Sequence, residues 1–426
     1  MQTKQTRFTR QETAWMLYDW ANSAYSILVA AVLPLFASAM AENAGISAVA
    51  HTANWGYASS LTGLAVAVLA PILGSIADYR TLRMRLFAAF FAIGVLSTGL
   101  IPVTNAYIGL LILYGITNFG FSGANVFYDA FLVDVTTPDR MDKVSAWGFG
   151  LGYIGGSTIP FLVSIGLIMA GPSFGVNELM AMRISCLITA LWWAVFTIPF
   201  FRNVRQVTAI EPEPNMLLNS LKRLGGTLRD VRRHKHLFLF LLAYFFYIDG
   251  VGTIIKMAST YASALGLDAT SIILGLLLTQ VVAFPCSILY GKLCERFSAK
   301  RVLYLGIVTY LLVCVVGFVM AEAWQFFLLA GLVGTAQGGI QALSRSYFGK
   351  LIPDRHRAGE FFGLYNIFGK FESVMGTALM GVVVSATGRI NDGVIPVAIT
   401  FFIGAALLFF VPEVQEKAQK DSAASI

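Results

Sequence analysis

Several ionisable side chains in this chain sit inside long apolar runs, where they are costly to keep. Asp19, Asp129, Asp134, Asp249, Lys256, Arg345, Lys370 and Glu372 all do so. A charged group near the centre of a bilayer costs about 2.5–3.5 kcal/mol on insertion scales, so each needs a reason. Lys370 lies 12 residues into the run that starts at 358, and Asp249 lies 12 residues into the run that starts at 237. At about 1.5 Å per residue both are about 18 Å deep, near the middle of a hydrocarbon core about 30 Å thick. A lysine at that depth attracts a carboxylate or other anionic group. A carboxyl there can exchange a proton, because burial disfavours its charged form. Lys370 is therefore a candidate substrate-binding cation, and Asp249, Asp19 and Glu372 are candidate proton carriers. The alternative is a permanent Lys370–Asp249 ion pair that locks two helices, or a pairing of Glu372 elsewhere. Lys370 and Glu372 are two residues apart and point to different helix faces, which argues against a pair of their own.

Uncharged polar groups reach the same depth. Asn118 lies 12 residues from Ala106, and Gln337 lies 13 residues from Trp324. Asp19, Asn22 and Tyr25 recur at helical spacing, and so do Asn125, Tyr128 and Asp129, and Gln337, Gln341 and Arg345. Together with Tyr247 and Asn366, these stripes make a candidate substrate-binding set of Asn22, Tyr25, Asn118, Asn125, Tyr247, Gln337, Gln341, Asn366 and Lys370. The competing reading is polar glue between packed helices. Tyr18 and Trp20 are expected in an interfacial aromatic belt. Lys256, close to an apolar run's end, is expected to snorkel to the interface.

The elements that must position these groups follow from composition. The chain is 57% hydrophobic and 12% charged, with mean hydropathy +0.71. Soluble domains carry about 25% charge. Apolar runs between polar breaks give twelve expected spans: 15–41, 55–77, 86–103, 106–135, 144–169, 180–201, 237–262, 268–290, 301–320, 324–349, 358–387 and 393–412. This predicts an all-α integral membrane protein of two six-helix bundles, 1–201 and 237–426, joined by a basic linker, 202–236. Within that linker 215–233 has apolar and basic residues at helical spacing, which suggests an amphipathic helix on an anionic leaflet; a solvated linker is the other reading. Of the 30 Lys and Arg, 25 fall in the termini and loops of one side. The positive-inside rule then puts both termini in the cytoplasm and makes the basic charge a topological signal, with no nucleic-acid partner. The four cysteines show no disulfide framework or metal spacing.

One short turn is written twice. Gly74–Arg85 (GSIADYRTLRMR) returns 217 residues later, about half the chain length, as Gly291–Arg301 (GKLCERFSAKR), so that Gly74 matches Gly291 and Asp78 matches Glu295. Pro138-Asp139-Arg140 likewise returns as Pro353-Asp354-Arg355. This is a duplicated chain. The turn resembles the signature of the major facilitator superfamily, Gly-x-x-x-Asp followed by several basic residues, here Gly74, Asp78, Arg80, Arg83 and Arg85. That resemblance implies two six-helix halves, with spans one, four, seven and ten lining a cavity, and transport by alternating access. It also implies a gating and structural charge network of Asp78, Arg80, Arg85, Asp129, Asp134, Glu295 and Arg345, in which Asp129 or Asp134 braces Arg80 or Arg85. The opening string Trp15–Tyr25 and the string Gln341–Tyr347 resemble the autophagy-related vacuolar amino-acid effluxers and their bacterial relatives. That narrower likeness implies efflux of neutral amino acids in the eukaryotic members, and an inner-membrane location for a bacterial chain.

The expected function is secondary transport of a small polar or zwitterionic, amino-acid-like solute, with protons or another ion as a coupling partner, by a monomer without cofactor. Export of drugs or amphipathic compounds is a second reading, and a receptor or assembly factor on the same scaffold a third. Gly148–Gly156 has overlapping small-x-x-x-small steps that permit close helix contact. It lacks the Gly-Pro-x-Gly-Gly of the drug antiporters. No phosphate-binding loop or catalytic constellation is present, so neither an ATP-driven pump nor an enzyme is expected.

Overall fold

The computed structural model describes residues 7–229, 234–264, 266–320, 322–370 and 374–413. Among them twelve helices are long and apolar enough to cross a membrane. In order they are Arg10–Asn43, Ala48–Ala77, Leu82–Val103, Tyr107–Val135, Met141–Phe174 and Glu178–Asn203, then Lys235–Ser263, Ser271–Leu293, Ala299–Val319, Trp324–Leu351, Arg355–Thr387 and Ile390–Phe409. They are called spans one to twelve below. Each expected apolar run coincides with one of them, although 106–135, 268–290, 301–320 and 393–412 overhang their spans by one to three residues. Several spans begin earlier than the apolar runs because capping residues, not hydropathy, start the helices. Thr9 and Glu12 close a capping box ahead of span one, with Glu12 N–H donating to Thr9 Oγ1 at 3.1 Å and Thr9 N–H to Glu12 Oε2 at 2.8 Å. Ser47, Asn177 and Ser298 cap three more in the same manner. Span eleven is built of two helices, Ala358–Lys370 and Val374–Thr387. The linker forms one helix, Met216–Arg229, where an amphipathic helix was expected.

The chain falls into two compact units. One comprises Met1–Thr136, Leu151–Leu221 and His356–Gly363; the other comprises Thr137–Gly150, Lys222–Arg355 and Leu364–Ile426. Each unit therefore holds one copy of the repeated turn together with a short segment that follows Pro-Asp-Arg in the other sequence half.

The first unit is centred on aromatic rings. Tyr18 lies 5.0 Å from Phe87 and 4.7 Å from Tyr128, and Phe87 lies 4.5 Å from Phe200, between ring centroids. Trp15 stacks on Tyr128 at 4.5 Å and donates its indole N–H to the Tyr128 carbonyl at 3.0 Å. Tyr18 is completely buried here, so it belongs to the core and not to an interfacial belt. Trp20, half-buried, stacks with Trp192 at 5.9 Å. The glycine run of span five does make the close contact its spacing suggested. A Cβ at Gly155 would sit 2.0 Å from the Trp20 ring, and one at Gly156 would sit 2.6 Å from the Trp20 carbonyl oxygen. The second unit has its own aromatic centre, with Tyr244 stacked on Tyr365 at 4.4 Å and Phe348 on Tyr365 at 4.9 Å.

The first copy of the repeated turn is locked by charge. Asp78, fully buried, accepts the backbone N–H of Gly359 at 2.7 Å and of Glu360 at 3.0 Å, at the start of the helix Ala358–Lys370. A carboxylate at a helix N-terminus satisfies orphan donors and meets the positive end of the helix dipole. Arg83, also fully buried, donates to Asp78 Oδ1 at 2.9 Å and to Asp134 Oδ2 at 2.6 Å. The other oxygen of Asp134 accepts the Thr208 N–H at 2.7 Å and the Thr208 hydroxyl at 2.6 Å. The expected brace thus falls on Arg83, which the candidate network omitted. Arg80 instead pairs with Glu211 at 2.9 Å at the surface, and Arg85 is exposed. Asp129 is buried in span four. The second copy is not locked this way: Glu295 is half-exposed and 3.5 Å from Lys143. In that unit Asp142 carries the load, accepting the Ser346 hydroxyl at 2.7 Å and pairing with Lys350.

Two contrasts test this network by thermal unfolding of the detergent-purified protein. Asp78→Ala leaves Arg83 and two helix N–H groups short of a partner, and should destabilise by about 3–5 kcal/mol, the range for breaking a buried pair. Arg80→Ala removes only a solvated pair and should cost no more than about 1 kcal/mol. Equal effects of the two would refute the assignment.

Candidate functional site

In the first unit the amides of spans one and four come together. Asn22 Nδ2 donates to Asn125 Oδ1 at 2.8 Å; Asn22 is buried and Asn125 half-buried. Both assignments of the amide oxygen and nitrogen satisfy the same contact, so the pair holds one hydrogen bond and keeps capacity for more. Asn118, about two turns along span four from Asn125, is half-buried. Asp19 is buried one turn from Asn22. These four polar groups are the sequence-derived candidates that this unit groups along two neighbouring spans. Tyr25 departs from the expectation. Its ring is buried 4.8 Å from Phe121 and 5.7 Å from Trp193, inside the aromatic packing. The reason is geometric: a step of six residues rotates about 120° from Asp19, too far to share a narrow face.

In the second unit the candidates are dispersed. Tyr247, completely buried, shares a hydrogen bond of 2.7 Å with the Ser344 hydroxyl. Asn366 is buried, and Gln341 is half-buried. Asp249 has no exposed surface and accepts the Met375 N–H at 3.0 Å, at the start of the helix Val374–Thr387. Thr253 stands one turn on, its hydroxyl donating to the Asp249 carbonyl at 2.7 Å. Gly376 lets the helix start lie this close: a Cβ there would be 2.8 Å from Asp249 Oδ2 and 2.1 Å from Thr253 Oγ1. Asp249 therefore does structural capping work whatever else it does. Lys370 ends the preceding helix, its side chain lies outside the description, and Glu372 lies outside the described residues. Lys256 is exposed.

Arg345 is held by span five. Its Nε donates to Ser145 Oγ at 3.0 Å, and its guanidinium carbon lies 4.4 Å from the Phe149 ring centroid. Planar guanidinium over an aromatic face is a cation–π contact. Ser145 in turn donates to the Ala342 carbonyl at 2.8 Å. Arg345, Ser346 and Lys350 thus tie span ten to Asp142 and Ser145.

Two clefts among the described residues of this unit are mostly apolar. A cleft of about 480 Å³ is lined by residues including Thr253, Met257, Tyr261, Phe326 and Met380. A neighbouring cleft of about 430 Å³ shares Ile254, Ala258, Phe326 and Leu329 with it, and adds Thr279, Gln280 and Gln337. Gln337 is the only sequence-derived candidate among these linings. Arg83, Asp142, Ser145, Thr208 and Ser344 went unselected in the sequence. Arg83 lay inside the repeated turn and Asp142 lay two residues past Pro-Asp-Arg, so both carried a local signal. Thr208 and Ser344 carried none beyond an ordinary hydroxyl.

Known proteins resemble this chain at several levels. The family described as "Vacuole effluxer Atg22 like" matches residues 47–140 and 133–422. An MFS-type transporter of Bacillus subtilis, YxiO, is 53% identical over 412 residues, covering 96% of each chain. Autophagy-related protein 22-1 of Penicillium rubens is 25% identical over 313 residues, 63% of this chain but only 49% of that longer protein. Among solved structures the proton:xylose symporter XylE superposes with TM-score 0.73 at 10% identity, covering 95% of this chain and 96% of that one. The human organic anion transporter MFSD10 gives 0.69 at 14%, covering 94% and 99%. Identity this low speaks to fold alone, and the fold is that of the major facilitator superfamily. With the family match spanning most of its length, the chain belongs to the Atg22-like vacuole effluxer family and is a major facilitator transporter.

Proposed function

We propose that the protein is a secondary transporter of a small polar or zwitterionic, amino-acid-like solute, working by alternating access. The observation that carries this reading is the Asn22–Asn125 amide pair, 2.8 Å apart on two membrane-spanning helices and partly open. Uncharged amides can both donate and accept, which suits a solute bearing ammonium and carboxylate groups together. The obvious charges are already engaged. Asp78, Arg83 and Asp134 hold one another, Asp249 holds a helix start, and Arg345 is seated on Ser145 and Phe149. The family's description as vacuole effluxers supports movement of a solute across a membrane as the role. A second reading, export of amphipathic compounds, draws on the apolar cleft lined by Tyr261, Phe326 and Met380.

A thermal-shift screen of the purified protein against amino acids and other metabolites should find a solute that stabilises wild type. Asn22→Ala and Asn125→Ala should each weaken that stabilisation by at least about tenfold in apparent affinity, the scale for losing one or two good hydrogen bonds in a dry site. Hits confined to lipophilic cations and unaffected by Asn125→Ala would favour the amphipathic-export reading instead. No stabilising solute at all, with an intact fold, would favour a non-transporting scaffold.

Proton coupling is assigned to Asp249, with Asp19 as the other carrier. Asn can keep the cap on Met375 while losing the titrating proton, because an amide oxygen accepts the same N–H. In proteoliposomes, Asp249→Asn should preserve folding and abolish the pH dependence of transport. An unaltered pH profile would remove Asp249 from the coupling step and leave it a structural cap.

A further inference from the structure

The linker helix Met216–Arg229 carries three kinds of face. Ser220, Leu224 and Thr227, clustered within about 60° around the axis, are buried against the protein. Leu217, Leu221 and Leu228 lie within about 40° of one another on an adjoining face, and they are 56%, 41% and 48% exposed. Leu218, at 51%, continues that stripe, and beside it stand exposed Lys222 and Arg229. An apolar stripe edged by basic residues does not suit a free solvated linker, which would turn its leucines inward.

The position of the helix says what covers this stripe. Ser75, in the last turn of span two, donates its hydroxyl to the Ser220 carbonyl at 3.2 Å. The helix is therefore anchored where a membrane-spanning helix ends. Along span two, Leu61, Leu64 and Val68 are 71%, 58% and 56% exposed, a face suited to lipid tails. The leucine stripe is anchored to the end of the helix that bears that face, on the side that concentrates 25 of the 30 basic residues. We propose that the linker helix docks on the anionic leaflet of the bilayer, with Leu217, Leu221 and Leu228 inserted below the headgroups and Lys222 and Arg229 among them. A soluble protein would have to reach a surface that this anchoring sets at headgroup level. A lipid surface is already there.

The test uses the full chain with its four native cysteines replaced and an environment-sensitive fluorophore on Leu221→Cys. The control carries the label on Gly226→Cys, about 140° round the helix. In nanodiscs containing phosphatidylglycerol, the Leu221 label should shift to the blue and be quenched by headgroup-proximal doxyl lipid several-fold more than the Gly226 label. Lys222→Glu with Arg229→Glu should reduce that quenching towards the level in phosphatidylcholine discs, with the unfolding temperature unchanged. Three results would overturn the proposal. One is equal quenching of both labels by iodide from the water in either lipid. Another is lipid quenching that ignores both lipid charge and the two basic residues. The last is shielding that arises only when two copies share a disc, which would make the stripe a contact between copies.

Discussion

The structure depends most on one buried carboxylate. Asp78 meets a cation, Arg83, and two helix N–H groups at once, with no exposed surface. A buried charge without such partners would be prohibitive, so each partner constrains the others. Backbone proximity makes the arrangement possible. A Cβ on Gly74 would lie 2.2 Å from the Gly359 carbonyl oxygen, and one on Gly363 would lie 2.6 Å from the Ala70 carbonyl oxygen. Neither backbone carbonyl could give way as a flexible side chain might. The small residues set the distance at which the carboxylate can reach a helix start, and the charge then rewards that distance.

Much of the architecture was legible because membrane insertion makes hydropathy decisive. Twelve apolar runs became twelve spans, since a backbone in lipid has few other options. The duplicated turn was legible as a repeat, yet its two copies do different work. Asp78 caps a helix, while the matching Glu295 is half-exposed beside Lys143. In the unit that holds Glu295, Asp142 supplies the buried acid from another segment. Repetition of the sequence does not carry over the role of each side chain.

The polar site was less legible. Helical spacing placed Asn22 and Asn125 on facing helices but overextended the stripe to Tyr25, which turned into aromatic packing. Depth counting found Asp249 correctly buried, but could not see that the next helix start would use it as a cap. Such partners are set by tertiary contacts far along the chain, and no local period encodes them. The same holds for Thr208, whose hydroxyl and N–H complete Asp134 from the linker.

That long reach has a consequence for biosynthesis. Asp134 waits for Thr208, 74 residues downstream, and Asp78 waits for Gly359 and Glu360, 281 and 282 residues downstream. A ribosome delivers the chain from its N-terminus, so the first ten spans are made before the last of these donors emerges. Insertion and charge closure are therefore separate events. The nascent protein must carry an acid and an arginine in an unfinished setting until the eleventh span arrives to relieve it.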